Sequence, residues 1–197
     1  MYNKLFFAVH RMIIHGINSV REALTSGMAV EEIYVADRRD ARIAEIADLA
    51  SRRRVRLVVR ERGFFRGIGG QSAQFVAARV DIGSKPFDEL LSERGSGLFL
   101  VLDQIEDPRN LGAILRTALA AGVDGVVIQS HRACGITPTV FAASAGAVSH
   151  LRIAEVPNIK NSLRAFRDEG YAIIGAEANA GKDHWEADFS GPTVLVM

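Results

Sequence analysis

The 197-residue sequence predicts an α/β protein of two units, a small α/β unit in front and a parallel-sheet α/β unit behind. Three observations carry that expectation. Short apolar strands alternate with segments of helical periodicity. A Gly- and Ser-rich stretch with one Pro breaks the alternation between residues 81 and 97, where the linker is placed. Directly after it, Leu98–Leu102 is continuously apolar, as in a strand buried on both faces.

The front unit spans residues 12–80. Met12–Gly16 starts a strand, and residues 1–11 read as an extension ahead of the fold. Asn18 or Ser19 caps a helix over Val20–Ser26 that Gly27 ends. Glu32–Val35 is a strand. Asp40–Arg53 carries Ile43, Ile46, Ala47, Leu49 and Ala50 at helical spacing. Val55–Val59 and Phe75–Val80 are strands, with a short helix or turn at Phe64–Ile68 between them. A helix over Phe87–Ser92 lies in the linker.

The back unit spans residues 98–197. Strands are expected at Leu98–Leu102, Gly125–Ile128, Arg152–Val156, Tyr171–Gly175 and Thr193–Met197. Helices are expected at Asn110–Ala121, at Pro138–Ser149, and from an Asn158 cap through Asp168. Regular crossovers of this kind make a parallel sheet.

Composition narrows the function classes. With 48% hydrophobic residues the chain can fill one good core or two small ones. The net charge of +1 hides a split. Residues 12–80 hold twelve Arg, no Lys and eight acids, whereas residues 97–197 hold eight Lys plus Arg and eleven acids. A polyanion would therefore meet the front unit first. The single cysteine, Cys134, excludes an internal disulfide and a zinc knuckle, and points to a reducing, cytoplasmic compartment. His131, His150 and His184 lack metal-ligand spacing, so no metal is expected. No apolar run reaches the roughly 20 residues of a membrane span.

The chemistry concentrates in Leu98–Gly122. A buried strand ends, a polar loop follows, and a helix starts near Asn110, which is where open parallel sheets bind ligands. Asn110 can cap the helix, and Gly112 lets something approach its first turn. Arg116 is a lone guanidinium in a helix that otherwise reads Leu111, Ala113, Ile114, Leu115, Ala118 and Leu119. Such a group needs an anionic partner. Asp103 or Asp107 would serve internally, and a phosphate or a developing oxyanion would serve externally. The residues alone leave both open.

Asp107-Pro-Arg-Asn-Leu-Gly-Ala-Ile-Leu-Arg-Thr-Ala118 closely resembles the first signature motif of the SpoU/TrmH methyltransferases, the S-adenosyl-L-methionine-using family that makes 2′-O-ribose modifications in RNA. Ser144-Ala-Gly-Ala147 is similar to that family's small-residue helix. Ile14–Leu24 and Glu32–Val35 are similar to the opening of its substrate-binding domain. The resemblance implies a trefoil-knotted SPOUT methyltransferase domain behind an RNA-binding domain, acting in ribosomal RNA on a guanosine rather than in tRNA, as a homodimer. It implies that Arg116 and Asn110 are catalytic. The resemblance implies that Arg116 binds the target phosphate or helps activate the ribose 2′-hydroxyl; a guanidinium is effectively always protonated and a poor general base, which favours stabilisation of the alkoxide.

The sequence departs from the family's pattern at its end. Val194–Met197 matches the strand that precedes the family's second motif, and the sequence stops there. The expected cofactor wall is therefore Gly175, Ala176, Glu177 and Met197, with an incomplete knot, weak cofactor binding and a doubtful dimer. A non-catalytic RNA-binding protein, or an inactive fragment of such an enzyme, is the alternative.

The Arg52–Arg66 stretch holds seven Arg and one acid. Arg52, Arg53, Arg54 and Arg66 are read as phosphate contacts, against the alternative of a solvated helix end. Gly67-Ile-Gly-Gly-Gln71 reads as a structural turn. His15 reads as structural first and RNA-proximal second. Trp185 and Phe189 are expected to pack over the last strands.

Overall fold

The computed structural model describes residues 9–37, 41–69, 74–92 and 97–197. The front unit is a four-stranded sheet of order β1-β4-β2-β3, built from β1 (Val9–His15), β2 (Ala29–Val35), β3 (Arg56–Val59) and β4 (Val76–Gly83). β4 runs antiparallel to both β1 and β2, and β3 is parallel to β2. Helices α1 (Ile17–Thr25) and α2 (Ala41–Arg52) cover one face, and α3 (Arg62–Gly69) lies against the other.

Helix α4 (Phe87–Ser92) leads into the second sheet. Its strands are β5 (Leu98–Leu102), β6 (Gly125–Gln129), β7 (Ile153–Val156), β8 (Ala172–Gly175) and β9 (Thr193–Val196), in the order β7-β6-β5-β9-β8, all parallel. Alternate residues of β5 sort to opposite sides. Leu100 and Leu102 pack with α5 (Pro108–Ala120) and α6 (Pro138–Ala143), while Phe99 and Val101 pack with α4 and α7 (Ile159–Asp168). A sheet buried on both faces explains the unbroken apolar run of β5.

The two units share one core. Ile14, Val20 and Ala23 of the front belong to the same apolar cluster as Leu111, Leu115 and Phe141 of the back. At the seam, Gly146 adopts φ +84° and lies so close to α1 that a Cβ there would overlap Glu22 Cγ. Glu22 also pairs with His150 Nε2 at 2.6 Å.

Four expectations need correction. β1 begins at Val9, so Val9–Arg11 belong to the sheet, and Arg11 pairs with Glu31 at 2.9 Å. α1 starts at Ile17, with Gly16 as its cap residue. Gln74 Oε1, in the turn before β4, accepts the Ile17 N–H at 3.0 Å, so Asn18 and Ser19 fall inside the first turn. The helix expected over Pro138–Ser149 stops at Ala143 and resumes as one 3₁₀ turn, Ala147–Ser149. Ala145 and Gly146 both take positive φ there, which reverses the chain against α1. Trp185 is 70% exposed and does not pack over the final strands, whereas Phe189, 44% exposed, lies beside Ile174 and Leu195 of β8 and β9.

Residues 1–8, the start of the expected second helix at Asp40, Gly70 and Gln71, and residues 93–96 of the linker lie outside the described residues. No helix of the described residues is long and apolar enough to cross a membrane.

Candidate active site at the carboxyl ends of the parallel strands

β5 and β9 are neighbours, and their ends are tied together. Met197 N–H donates to Val101 C=O at 3.0 Å, and Asp103 N–H donates to Met197 C=O at 2.8 Å. The polar loop then leads to α5. Asp107 caps that helix: its Oδ1 accepts the N–H groups of Arg109 at 2.6 Å and Asn110 at 3.3 Å. Pro108 at the first helical position needs no partner for an absent N–H. The cap is therefore Asp107, and the Asn110 side chain is left exposed.

α5 is amphipathic rather than buried. Leu111, Leu115 and Ala118 face the core, and Arg116 is exposed. Sequence composition misled here, because alanines on the open side read as apolar. Among the described residues no hydrogen bond or ion pair engages Arg116, and neither Asp103 nor Asp107 holds it. The internal-carboxylate reading of this residue is excluded. Arg109 is likewise exposed without an ion-pair partner, and sits seven residues before Arg116. That spacing is two helical turns, which stacks the two cations on one stripe. This pairing was available in the sequence and was missed. Asn110 lies about 120° around the axis from Arg116, so the two share the open side without touching.

Gly112 opens the helix to a neighbour, and the neighbour is α6. A Cβ on Gly112 would lie 2.5 Å from Ala143 Cβ and 2.9 Å from Ser144 N. Cys134 sits beneath this loop, half-buried. Burial, and then the Asp107 carboxylate, hold its thiol above the usual range, so it stays protonated at neutral pH.

A cavity of about 620 Å³ opens beside the ends of β8 and β9. Its floor includes Ile174 and Leu195, which are register partners on the face that carries α5. Gly175, Ala176 and Glu177 line its wall, with Lys182, Asp183 and Phe189 around them. Three of the four expected cofactor residues thus meet in one cavity. Met197 does not line it and is instead bonded to the end of β5. Phe189 has a place here that its apolar character alone did not indicate.

The arginine stretch is divided. Arg52 pairs with Asp48 at 2.8 Å. Arg53 donates to the carbonyls of Ala23, Leu24 and Met28 at 3.2, 2.9 and 3.1 Å, closing the C-terminus of α1. Arg54 takes φ +56° and is exposed, and Arg66 is exposed on α3. Phosphate binding by Arg53 would require it to leave three carbonyls. We expect Arg53→Met to lower stability by about 1 kcal/mol or more, while Arg54→Met leaves the thermal midpoint unchanged. Equal midpoints for both variants would refute this assignment. His15 is half-buried in β1, and its Nδ1 has no partner. No cluster of metal-ligating side chains occurs among the described residues.

Two family models account for the two units. Residues 97–197 match the SpoU rRNA methylase family, and residues 13–81 match the RNA 2′-O ribose methyltransferase substrate-binding domain. A TrmH-family protein of Staphylococcus saprophyticus is 34% identical over 195 residues, covering 96% of this chain and 78% of the relative.

The chain belongs to the SpoU rRNA methylase family.

A second SpoU-type relative, a 23S rRNA (guanosine-2′-O-)-methyltransferase of Ralstonia nicotianae, is 38% identical over 174 residues, covering 86% of this chain and 70% of its own. The SpoU methyltransferase AviRb of Streptomyces viridochromogenes, solved with AdoMet, superposes with a TM-score of 0.81 at 22% identity, over 94% of this chain and 72% of that one. An AdoMet-bound rRNA methyltransferase of Sinorhizobium meliloti gives 0.77 at 23% identity, over 95% and 70%. At such identities the superpositions establish the SpoU fold. The two-sheet architecture is the family's, and the protein is an RNA methyltransferase by family.

Proposed function

We propose that the protein transfers a methyl group from S-adenosyl-L-methionine to the 2′-hydroxyl of a ribose in RNA, with a guanosine of 23S rRNA as the first substrate to test. The observation that carries this reading is Arg116, a guanidinium without a partner among the described residues, on the open side of the helix that leaves the central strand. The 38% identical Ralstonia relative supports 23S rRNA, whereas the name of the Staphylococcus relative spans tRNA and rRNA.

The residues at the β8–β9 cavity suit the cofactor. Ile174, Leu195 and Phe189 offer an apolar bed for a flat base, and the Glu177 carboxylate can accept hydrogen bonds from hydroxyl or amino groups. Gly175 leaves room for backbone approach at the strand end. When bound, S-adenosyl-L-methionine supplies a methyl group activated by its sulfonium charge.

The chain's own work is positioning and charge. Arg116 cannot remove a proton, since its guanidinium stays charged. Its cation favours the alkoxide form of a ribose hydroxyl brought beside it. Arg109, on the same stripe, adds a second positive charge suited to a flanking phosphate. Asn110 offers an amide that can orient the ribose. Holding the nucleophile in line supplies much of the rate in such a displacement.

Incubating the protein with tritiated S-adenosyl-L-methionine and 23S rRNA tests the reading. Label should appear in RNA and resist alkaline cleavage at one nucleotide, as a 2′-O-methyl group does. Label on a base nitrogen or carbon, or transfer only to tRNA, would overturn the corresponding part of the proposal.

A further inference from the structure

The face of the first sheet that carries α3 holds a cluster the arginine count did not reveal. Phe75 is 41% exposed, in the turn directly before β4. Both it and Gln74 take positive φ, +55° and +49°. A bulky aromatic is rarely held there, and such outliers gather at functional positions. The turn is pinned on both sides: Gln74 Oε1 accepts the Ile17 N–H, and Phe75 C=O accepts the Ala36 N–H at 3.1 Å.

The Arg62 guanidinium lies over the Phe75 ring, 5.0 Å from its centroid. Arg60 lies over Tyr34 and Phe64 at 5.7 and 5.9 Å, and Arg79 over Tyr34 at 5.8 Å. Among the described residues no carboxylate forms an ion pair with Arg60, Arg62, Arg66 or Arg79. The nearby acids include Glu61, which is exposed, Asp37, next to the Ala36 that bonds Phe75, and Glu32, which Arg56 engages at 3.6 Å and which also hydrogen-bonds Tyr34. One cation over a strained, solvent-facing ring, with Arg60 and Arg79 over the neighbouring Tyr34 and Arg66 one turn along α3, matches a strand that offers a flat base and flanking phosphates. A duplex, whose bases are stacked away, would leave the ring idle.

We propose that Phe75 and Arg62 form a stacking platform for one unpaired RNA base, with Arg60, Arg66 and Arg79 taking the adjoining phosphates. The proposal rests on the reading of this unit as the RNA-binding one, and it specifies which face is used and that the RNA there is single-stranded.

The test is a fluorescence titration of the whole protein with a short single-stranded RNA carrying 2-aminopurine, and with its blunt duplex, at several salt concentrations. The wild type should prefer the single strand and quench the probe. Phe75→Leu should weaken single-strand binding about tenfold or more and abolish the quench without altering the salt slope. Phe75→Tyr should retain both. Arg60→Gln and Arg79→Gln should each flatten the salt slope by about one. If RNA binds but Phe75→Leu changes neither affinity nor quench, or if duplex is preferred, the platform is refuted and the RNA-binding reading stands. If the wild type binds no RNA, both fall.

Discussion

Replacing Arg116 with alanine should lower the rate of methyl transfer about 10²- to 10³-fold, the usual loss when one preorganised partner of a developing oxyanion is removed. The thermal midpoint should hardly move. The side chain is exposed and makes no hydrogen bond or ion pair among the described residues, so no folded-state contact is lost. Substitutions at such surface positions normally stay within about 0.5 kcal/mol. Arg116→Lys keeps the charge and loses the planar fork, so it should fall between alanine and wild type. The RNA dissociation constant should change far less than the rate. An Arg116→Ala protein that methylates within tenfold of wild type would remove this residue from the mechanism. A protein that melts well below wild type would instead give the residue a structural role.

Gly112→Ala should destabilise the fold by about 1–2 kcal/mol, even though alanine is the better helix former by about 1 kcal/mol. The added methyl would meet Ala143 Cβ at 2.5 Å and the Ser144 amide at 2.9 Å. Both obstacles belong to backbone or to a Cβ, so neither can swing aside. α5 must move away from α6, and overpacking of that kind costs about 1–3 kcal/mol. For a chain of this size the melting point should drop by roughly 2–4 °C per kcal/mol. Gly112→Ala/Ala143→Gly should recover part of the loss, because it removes the shortest contact, and the non-additivity would show that the two positions touch. A Gly112→Ala protein as stable as wild type would mean that the helices tolerate a wider separation.

Much of this architecture was legible in the residues. Strand β5 announced its burial by five apolar residues in succession, whereas the start of α5 was read two residues late, at Asn110 instead of Pro108 with its Asp107 cap. The side that α5 turns to solvent was not legible, because Ala113, Ala120 and Leu119 look the same to a composition reading whether covered or open. Arg116 was found by its oddity in that string, and its exposure emerged only from packing. The arginine run shows the opposite failure. Seven similar side chains in one stretch take unlike roles, since Arg53 bonds α1 carbonyls and Arg62 rides on a ring more than ten residues away. Spacing along the chain cannot separate them, because the sorting depends on which strand lies beside which. The break after Ala143 was hidden for a related reason: the reversed chain there packs closely on Glu22, more than a hundred residues upstream.

The joint between the units, where Gly146 presses on α1 and Glu22 meets His150, makes the protein a fixed gauge. A common core lies on both sides of the joint, between the Phe75 ring and the mouth of the β8–β9 cavity. On the roles proposed above for the Phe75 ring and the β8–β9 cavity, an RNA held at one would present to the other the nucleotide at that separation, and target choice would then depend on the length and bend of the RNA.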